Sequence, residues 1–263
     1  MINFDWKYPW SIHIGSHTFI MHALFEFLAF FVGFRYYLFL RKKQGDVIHS
    51  DNRLWIIIGA IFGAVVGSRL VGGFESITQL NASSNKWVHF YANKTVVGGF
   101  LGGLFGVEGV KIWIGEKNSS GDLFVYPMLL ALLIGRVGCV GMGIHEDVFG
   151  MPTQAFVGMD LGDGIYRHPL MLYEMFFLIC FWFSLYRISH RYQLQNGVRF
   201  KLFMIGYLIF RFGIEYLKIR ETYLVGMGAI QIACLTGLVY YGKTITDILL
   251  HGFKNLEIKN ALM

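Results

Sequence analysis

Long apolar runs alternate with short polar links along the whole chain. A bilayer core of about 30 Å is crossed by roughly 20 mostly apolar residues in helical form. Links rich in Asn, Ser and Gly, such as 81–85 and 118–121, separate the runs. The pattern therefore predicts an all-α integral membrane protein, with one polytopic domain over residues 1–263 and seven transmembrane helices. The predicted spans are 18–40, 54–73, 95–114, 122–142, 170–187, 200–217 and 226–247.

The composition supports a membrane protein and argues against a soluble domain and a disulfide-rich protein. Hydrophobic residues make up 55% of the chain and charged residues only 15%, whereas about 25% is typical of soluble domains. The cysteines, Cys139, Cys180 and Cys234, are too few and too widely spaced to indicate a disulfide framework or a thiolate zinc site. We therefore expect no metal site and no cofactor. Residues 1–10 lack a basic region and a small-residue cleavage site, so the first span is expected to be retained.

The distribution of Lys and Arg predicts the orientation. With the N-terminus outside, the inward links and the span ends next to them hold twelve of the 23 basic residues, and the outward links hold six. Because positive residues stay on the cytoplasmic side, this predicts an extracytoplasmic N-terminus and a cytoplasmic C-terminus. The net charge of +6 then reflects attraction to anionic inner-leaflet lipid. No nucleic-acid partner is expected.

The remaining five cations lie further inside predicted spans. Arg35 and Lys111 are near predicted cytoplasmic ends, where a long side chain reaches the interface. Arg69, near an outer end, fits either that interpretation or a functional one. Arg136 and Arg211 lie deeper, where a charge costs roughly 2.5–3.5 kcal/mol and is normally kept for a function. These two arginines are the first candidates for a site.

Each of the two arginines lies in a distinctive local pattern. Glycines flank Arg136 in the stretch 135–138 and allow close approach of a helix or a ligand. A guanidinium group in such a place suits a phosphate or a carboxylate. Tyr207, Arg211 and Glu215 are four residues apart and share one helix face. The alternative is that Glu215 only neutralises the buried charge of Arg211.

A third pattern is the segment 168–174, His-Pro-Leu-Met-Leu-Tyr-Glu, at the start of the fifth predicted span. Pro169 suits a first helical turn, where its missing N–H is not needed. Tyr173 and Glu174 then lie about one turn into the span. An interfacial histidine is most often a hydrogen-bonding group. Here His168 has a phenol, a carboxylate and a helix N-terminus beside it, which favours chemistry on an anion.

Together these elements resemble the prolipoprotein diacylglyceryl transferase family of bacterial inner membranes, which has seven spans and an outside N-terminus. The family's Gly-Arg-x-Gly corresponds to 135–138, and Gly150 lies at the following family glycine. Each match alone is weak, but the ordered set on a seven-span pattern is specific. The other matches are His-Pro-x-x-Leu-Tyr-Glu at 168–174, Gly-Tyr-x-x-Phe-Arg-x-x-x-Glu at 206–215, a glycine and glutamine element at 228–231, and Gly-Gly-Leu-x-Gly at 102–106.

The resemblance implies a reaction: transfer of a diacylglyceryl group from phosphatidylglycerol to the lipobox cysteine thiol of a prolipoprotein signal peptide, with release of glycerol phosphate. It places the protein in the bacterial cytoplasmic (inner) membrane as a multi-pass enzyme. Fixed guanidinium groups stabilise the charge that develops on the leaving phosphate. Arg136 and Arg211 are expected to do this by meeting at one lipid headgroup.

Further residues receive roles from the same resemblance. Glu215 is expected to hold Arg211, and Tyr207 to supply hydrogen-bond support. The acceptor thiol is only slightly ionised at neutral pH, so His168 or His145 is expected to take its proton. The remaining expected substrate-binding positions are Gly138, Gly150, Tyr173, Glu174 and Gln231.

The chain departs from the family at several positions, which makes it a divergent member. Leu101 stands where the family commonly has a histidine proposed as a base, Cys139 where it has an asparagine, and His22 where it has a first-span tyrosine. We interpret Cys139 as a packing residue and 145–147 as a solvated loop. Another base, no base, or another acceptor remain open.

Two other functional classes remain open. A phospholipid-binding or transport protein would keep the phosphate site and lack the chemistry. A purely structural membrane subunit would leave the ordered Arg, His and Glu elements without a purpose. Loss of turnover with retained lipid binding, after replacement of the histidines, distinguishes the enzyme from the carrier.

Overall fold

The structure is a computed structural model that describes residues 2–257 of the 263-residue chain. Residues 1 and 258–263 of the predicted domain lie outside the described residues. The described chain forms two compact units, which we call unit 1 and unit 2. Unit 1 contains residues 2–45, 123–191 and 217–219, and unit 2 contains 46–122, 192–216 and 220–257.

Helices make up most of the described chain, and short antiparallel strands form two small sheets. Between residues 2 and 257 the helices are α1 (Met21–Gln44), α2 (Ser50–Gly73), α3 (Ile77–Ala82), α4 (Lys86–Ala92), α5 (Val96–Ile114), α6 (Val125–Met142), α7 (Leu170–Arg191), α8 (Val198–Ile214), α9 (Ala229–Tyr240) and α10 (Gly242–His251). The strands are β1 (Ile2–Asp5), β2 (Ser11–Ile14), β3 (His17–Ile20), β4 (Met159–Asp160) and β5 (Tyr166–Arg167), paired in the orders β1-β2-β3 and β4-β5.

Five stretches of residues 2–257 are long and apolar enough to cross a membrane: α1, α2, α5, α7 and the Asp122–His145 segment that contains α6. The helix α9 is apolar but shorter, with 12 residues, and α8 has 17. Large apolar side chains such as Phe27, Phe30 and Phe34 remain exposed on α1. An aromatic surface of this extent is typical of contact with lipid. The chain is therefore an all-helical protein of the integral membrane class.

Two predicted spans differ in detail from the structure. The first span is predicted from about residue 18, but His17–Ile20 pair with β2 as strand β3, and the helix begins at Met21. The last predicted span, 226–247, is two helices, because the backbone leaves helical geometry at Tyr241. An apolar run fixes the presence of a buried or lipid-facing segment, but it does not distinguish one helix from two.

The predicted link between the second and third spans contains two short helices, α3 and α4, that the apolar pattern does not show. Side chains cap both of them: Ser76 accepts a hydrogen bond from the N–H of Gln79, and Asn85 accepts from the N–H groups of Trp87 and Val88. Such caps replace helical partners that the first N–H groups lack. The predicted turn lies between the two helices.

In unit 1, α6 packs against both α1 and α7. Gly33 of α1 permits the approach, because a Cβ atom there would lie 3.1 Å from the Cβ of Ala131. Tyr37 stacks on Phe124 with ring centroids 4.4 Å apart. These contacts fix the position of α6, which carries Arg136.

In unit 2, α2 and α5 pack through facing glycines. A Cβ atom on Gly102 would lie 2.8 Å from the Cα of Gly67, so no side chain fits between the backbones. Close glycine contacts of this kind are common between helices in membranes. The helices α8 and α9 pack against each other, and α9 also contacts α5.

Arg53, which the sequence places in a polar link, is a buried residue near the start of α2 in unit 2. Its side chain forms an ion pair with Asp46 and donates a 2.8 Å hydrogen bond to the carbonyl of Ser120. Only 1% of Arg53 is exposed. The charge of Arg53 therefore serves the internal structure of unit 2.

Candidate functional site

Arg136 of α6 forms a buried ion pair with Glu174 of α7 in unit 1. Its Nη2 atom lies 2.9 Å from Oε1 and 2.8 Å from Oε2 of the carboxylate. The two side chains are only 9% and 2% exposed. The sequence assigned both residues to substrate binding but did not predict that they bind each other. Glu174 lies about one turn into α7, as the position of Pro169 predicts.

Cys139 lies on the other side of the Arg136 guanidinium group. Its Sγ atom is 3.6 Å from Nη1 of Arg136. The side chain also packs in a buried cluster with Leu161 and Met171. This confirms the interpretation of Cys139 as a packing residue.

His22 of α1 lies beside Gly138 of α6, and the sequence did not assign it a role. Its Nε2 atom lies 3.4 Å from Oε1 of Glu26 and 4.0 Å from Oε2 of Glu146. The side chain is 14% exposed. A Cβ atom on Gly138 would lie 3.1 Å from Nδ1 of His22, so the glycine allows the imidazole to approach α6.

The predicted solvated loop 145–147 is only partly correct. His145 and Asp147 are exposed. The Glu146 carboxylate instead faces His22 at the distance given above, and it interacts electrostatically with Cys139. These contacts join α1, α6 and the turn after α6, over 124 sequence positions between His22 and Glu146. No periodicity reveals such a pair.

His168 lies at the start of α7, where the sequence places it. Its Nδ1 atom is 2.9 Å from Oη of Tyr173. The backbone N–H of Gly150 donates a 2.9 Å hydrogen bond to the carbonyl of His168. A Cβ atom on Gly150 would lie 2.6 Å from the Cβ of His168, so the position requires glycine. The structure thus brings three predicted site residues together.

Arg167 precedes this histidine and has an acidic partner outside the spans. Its Nε and Nη2 atoms donate hydrogen bonds of 2.9 and 2.7 Å to Oδ2 of Asp163. The hydrogen bonds from Arg167 lower the pKa of Asp163 below its ordinary value. The charge of Arg167 is therefore matched within the β5 hairpin segment.

Arg211 and Glu215 form the predicted pair in unit 2, with 3.1 Å between Nη2 and Oε2. Glu215 directly follows the last residue of α8 and is 2% exposed. Tyr207, one helical turn before Arg211, is fully buried, and its ring contacts that of Phe100 with 5.2 Å between the centroids. The pattern of four-residue spacing is confirmed for the ion pair.

Arg220 is a residue of this cluster that the sequence assigned to an external link. Its Nη1 atom donates to the carbonyl of Glu215 at 2.8 Å, and its Nε atom donates to Oε1 of Gln231 at 3.1 Å. The guanidinium group lies over the ring of Tyr216, 4.8 Å from the centroid. Gln231, a predicted site residue, is fully buried. Arg211 thus pairs with the carboxylate of Glu215, whereas Arg220 donates to the backbone carbonyl of the same residue.

Leu101 is buried in α5 and packs against α9 at Gly237, a residue without a side chain. A Cβ atom on Gly237 would lie 2.8 Å from Cδ2 of Leu101 and 2.6 Å from Cδ1 of Leu208. The position is apolar and closely packed within unit 2. Leu101 therefore contributes packing and has no group that accepts a proton.

The fold and these clusters define a class: a multi-pass membrane protein whose helices carry buried pairs of arginine and carboxylate. A sequence model of the family described as prolipoprotein diacylglyceryl transferase matches residues 9–246. The chain belongs to the prolipoprotein diacylglyceryl transferase family.

Named relatives agree with this assignment. The chain is 28% identical to a protein of Aliivibrio fischeri over 231 residues, which is 82% of this chain and 79% of the relative. It is 30% identical to a protein of Bordetella bronchiseptica over 223 residues, covering 75% and 78%. A protein of Campylobacter lari is 28% identical over 208 residues, covering 76% and 75%. All three relatives are named phosphatidylglycerol–prolipoprotein diacylglyceryl transferase.

Proposed function

We propose that this chain transfers the diacylglyceryl group of phosphatidylglycerol to the cysteine thiol of a prolipoprotein lipobox and releases glycerol phosphate. The family match over residues 9–246 carries the proposal. The buried arginines give it a physical basis, because the leaving group is a phosphate that gains charge as the bond to carbon breaks. The enzyme is expected in the bacterial inner membrane, with seven crossings, an outside N-terminus and a cytoplasmic C-terminus.

At the glyceryl carbon the reaction makes one bond and breaks one. The acceptor thiol loses its proton to a base, and the sulfur attacks the glyceryl carbon that carries the phosphate ester. The carbon–oxygen bond breaks, and glycerol phosphate leaves with the electron pair. The protein must therefore bind an anion, exclude water and accept one proton.

Arg211 and Arg220 suit the anion-binding task in unit 2. Two guanidinium groups lie at Glu215, one on its carboxylate and one on its backbone carbonyl, and preorganised donors act strongly where water is excluded. Glu215 holds Arg211 in place, and Gln231 holds Arg220. Tyr207 is proposed to support the same group through its hydroxyl.

Arg136 of unit 1 is also proposed to bind lipid phosphate. The carboxylate of Glu174 accepts a hydrogen bond from Nη2 of Arg136, and a guanidinium group carries further N–H donors. Gly138 and Gly150 supply close backbone approach, and His168 with Tyr173 supplies a polar pair at the start of α7. These roles follow from the resemblance and from the contacts within unit 1.

The test is transfer in vesicles. The full chain, in vesicles that contain phosphatidylglycerol, is incubated with a lipobox peptide, and mass spectrometry detects the diacylglyceryl adduct. Arg211→Lys and Arg136→Lys are expected to lower kcat by about 100-fold or more, because removal of one charge-stabilising donor typically costs that much. Arg35→Lys is the matched control, since Arg35 is an exposed cation on α1. Lipid binding without any adduct from the unchanged protein would contradict the enzyme.

A phospholipid carrier, or a homologue that uses another acceptor, is the second candidate. The buried Leu101 favours it, because an apolar side chain stands where the family commonly has a proposed base. A carrier would move phosphatidylglycerol between vesicles and form no thioether with any lipobox peptide. An enzyme with another acceptor would form its adduct on a different thiol.

A further inference from the structure

We propose that His22, held between the carboxylates of Glu26 and Glu146, accepts the proton of the acceptor thiol. The inference rests on the transfer reaction proposed above and assigns its base. Neither His168 nor His145, the two histidines that the sequence offers for this step, has such surroundings. The argument uses contacts inside unit 1 alone.

The Nε2 side of the imidazole faces both carboxylates, 3.4 Å from Glu26 and 4.0 Å from Glu146. An ionised carboxylate only accepts hydrogen bonds, so these neighbours favour the tautomer that carries its proton on Nε2. The lone pair then lies on Nδ1, a buried atom without a hydrogen-bond partner among the described residues. The two carboxylates stabilise the imidazolium ion that forms, since opposite charge within 4–6 Å favours the charged state.

The position of His22 also suits the reaction. Its Nδ1 side faces Gly138, two residues after Arg136. The side chain is mostly buried but retains an exposed part. A base at this place is adjacent to the α6 segment that carries the guanidinium group and the glycines of the family motif.

The other two histidines are less suited. Nδ1 of His168 is engaged with Oη of Tyr173 at 2.9 Å, which orients both groups for binding. His145 is an exposed residue of the turn after α6. Water competes for an exposed imidazole and protonates the thiolate it produces.

In the proposed step the S–H proton of the acceptor moves to Nδ1 of His22. The electron pair of that bond stays on sulfur, which attacks the glyceryl carbon. The phosphate ester oxygen takes the electrons of the broken carbon–oxygen bond. His22 later releases its proton past Glu26 or Glu146 to water, which restores the starting state.

The first measurement compares His22→Gln with His17→Gln in the vesicle assay. His17 is exposed on β3, five residues earlier, and serves as the matched control. We expect His22→Gln to lower kcat by about 100-fold or more with little change in KM, because general base catalysis typically supplies a factor of 10²–10⁴. Phosphatidylglycerol binding by the same variant is expected to be unchanged, which shows that it is folded.

The second measurement replaces the acceptor. A peptide with selenocysteine in the lipobox presents a selenol that is ionised at neutral pH and needs no base. With this peptide, His22→Gln is expected to approach the rate of the unchanged protein within about 10-fold, because the contribution of general base catalysis is no longer required. An equal loss with thiol and selenol peptides would assign His22 a structural role and overturn the proposal.

The remaining outcomes also decide the question. Full activity of His22→Gln on the thiol peptide overturns the proposal while the transfer function stands. A loss that is specific to the thiol peptide in His168→Gln, and absent in His22→Gln, assigns the base to His168. An unchanged protein that forms no adduct with either peptide overturns the transfer function itself, and the inference with it.

Discussion

Single residues carry the chemistry here because each buried charge has a specific partner. Arg136 is neutralised by Glu174 through two short contacts. Removal of one member of a buried pair leaves an uncompensated charge, which is far more costly than loss of both members. The same physics makes the pair a structural element before any substrate arrives.

Glu174→Gln is therefore expected to lower the free energy of unfolding by about 3–5 kcal/mol, the range for a broken buried pair. The measurement is chemical unfolding in detergent, in a double-mutant cycle with Arg136→Gln. We expect the double variant to be more stable than the sum of the single losses predicts. Glu108→Gln is the control, because Glu108 pairs with Lys111 at 3.4 Å but is 43% exposed. Additive losses in the cycle would contradict the coupling.

How much of the site the sequence predicts depends on the separation of the partners. Arg211 and Glu215 are four apart, so helical spacing alone predicts their contact, and the structure confirms it. Arg136 and Glu174 are 38 apart. The motifs predict both residue types, but only the packing of α6 on α7 joins them. Arg220 was missed because a link of irregular backbone returns it to Glu215, and no period describes such a path.

At the scale of the element, the packing of α2 on α5 depends on glycine. The glycines of α2 face those of α5 at intervals of about one turn, and an added methyl group on Gly63 would meet the carbonyl group of Gly102. Backbone atoms cannot move aside as a flexible side chain does. The contact therefore specifies both the distance and the register of the two helices.

Gly63→Ala is expected to destabilise the protein by about 1–3 kcal/mol, the usual cost of an overpacked position. Gly109→Ala on α5 is the matched control, because a Cβ atom there would have nothing within 4 Å. Thermal unfolding in detergent compares the two variants. A larger loss for Gly109→Ala than for Gly63→Ala would show that this contact is not the one that limits stability.

Hydrogen bonds to the Glu221 carboxylate join the start of α3 to the segment that precedes α9. Ser76 Oγ donates to Oε1 of Glu221 at 2.6 Å, and the N–H of Thr78 donates to Oε2 at 3.1 Å. These hydrogen bonds lower the pKa of Glu221 below its ordinary value of 4.5. A carboxylate with a lowered folded-state pKa stabilises the fold above its ordinary value, and the contribution is lost as the pH falls through the folded-state value.

Hydrogen exchange of the α3 amides tests this contact. Protection is expected to be constant from neutral pH down to about 4.5 and to fall below it. Glu221→Gln is expected to lack the fall, because an amide side chain does not titrate in this range. Ser76→Ala is expected to shift the fall to higher pH, because one donor to the carboxylate is gone. The same acid-induced loss in Glu221→Gln would assign it to another group.

Element boundaries show where the apolar pattern is sufficient. The span predicted at 95–114 is the helix Val96–Ile114, because Thr95 caps its start and Gly115, with φ of +69°, ends it. The span predicted at 226–247 contains a break at Tyr241, between the apolar helix α9 and the more polar helix α10. Hydropathy falls after this break, at Lys243 and Asp247, so the sequence indicates where the apolar helix ends, and the backbone geometry places that end at Tyr241.

At the scale of the whole molecule, a lipid environment explains why so many large apolar side chains lie on the surface of the structure. Side chains such as Phe30 and Trp113 are 79% and 71% exposed, which water would penalise and acyl chains would not. The distribution of Lys and Arg predicts the orientation of the chain, with the links that hold the basic excess on the cytoplasmic side. The predicted orientation assigns each link to one side of the membrane.

Labelling of single cysteines tests that orientation. Ser16→Cys and Ser84→Cys lie in predicted outside links, whereas Gln44→Cys and Thr246→Cys lie on the predicted cytoplasmic side, and all four positions are exposed. The background carries Cys180→Ser, since Cys180 is the exposed native thiol among the described residues. A membrane-impermeant maleimide is expected to label the first two in intact spheroplasts and the other two only after permeabilisation.

Labelling of Thr246→Cys in intact spheroplasts, with Gln44→Cys protected, would mean that α8, α9 and α10 make one crossing fewer or more than predicted. The distribution of basic residues predicts that the chain crosses the membrane before Thr246. The 12 residues of α9 and the break before α10 do not by themselves predict a full crossing. The labelling result decides between these two predictions.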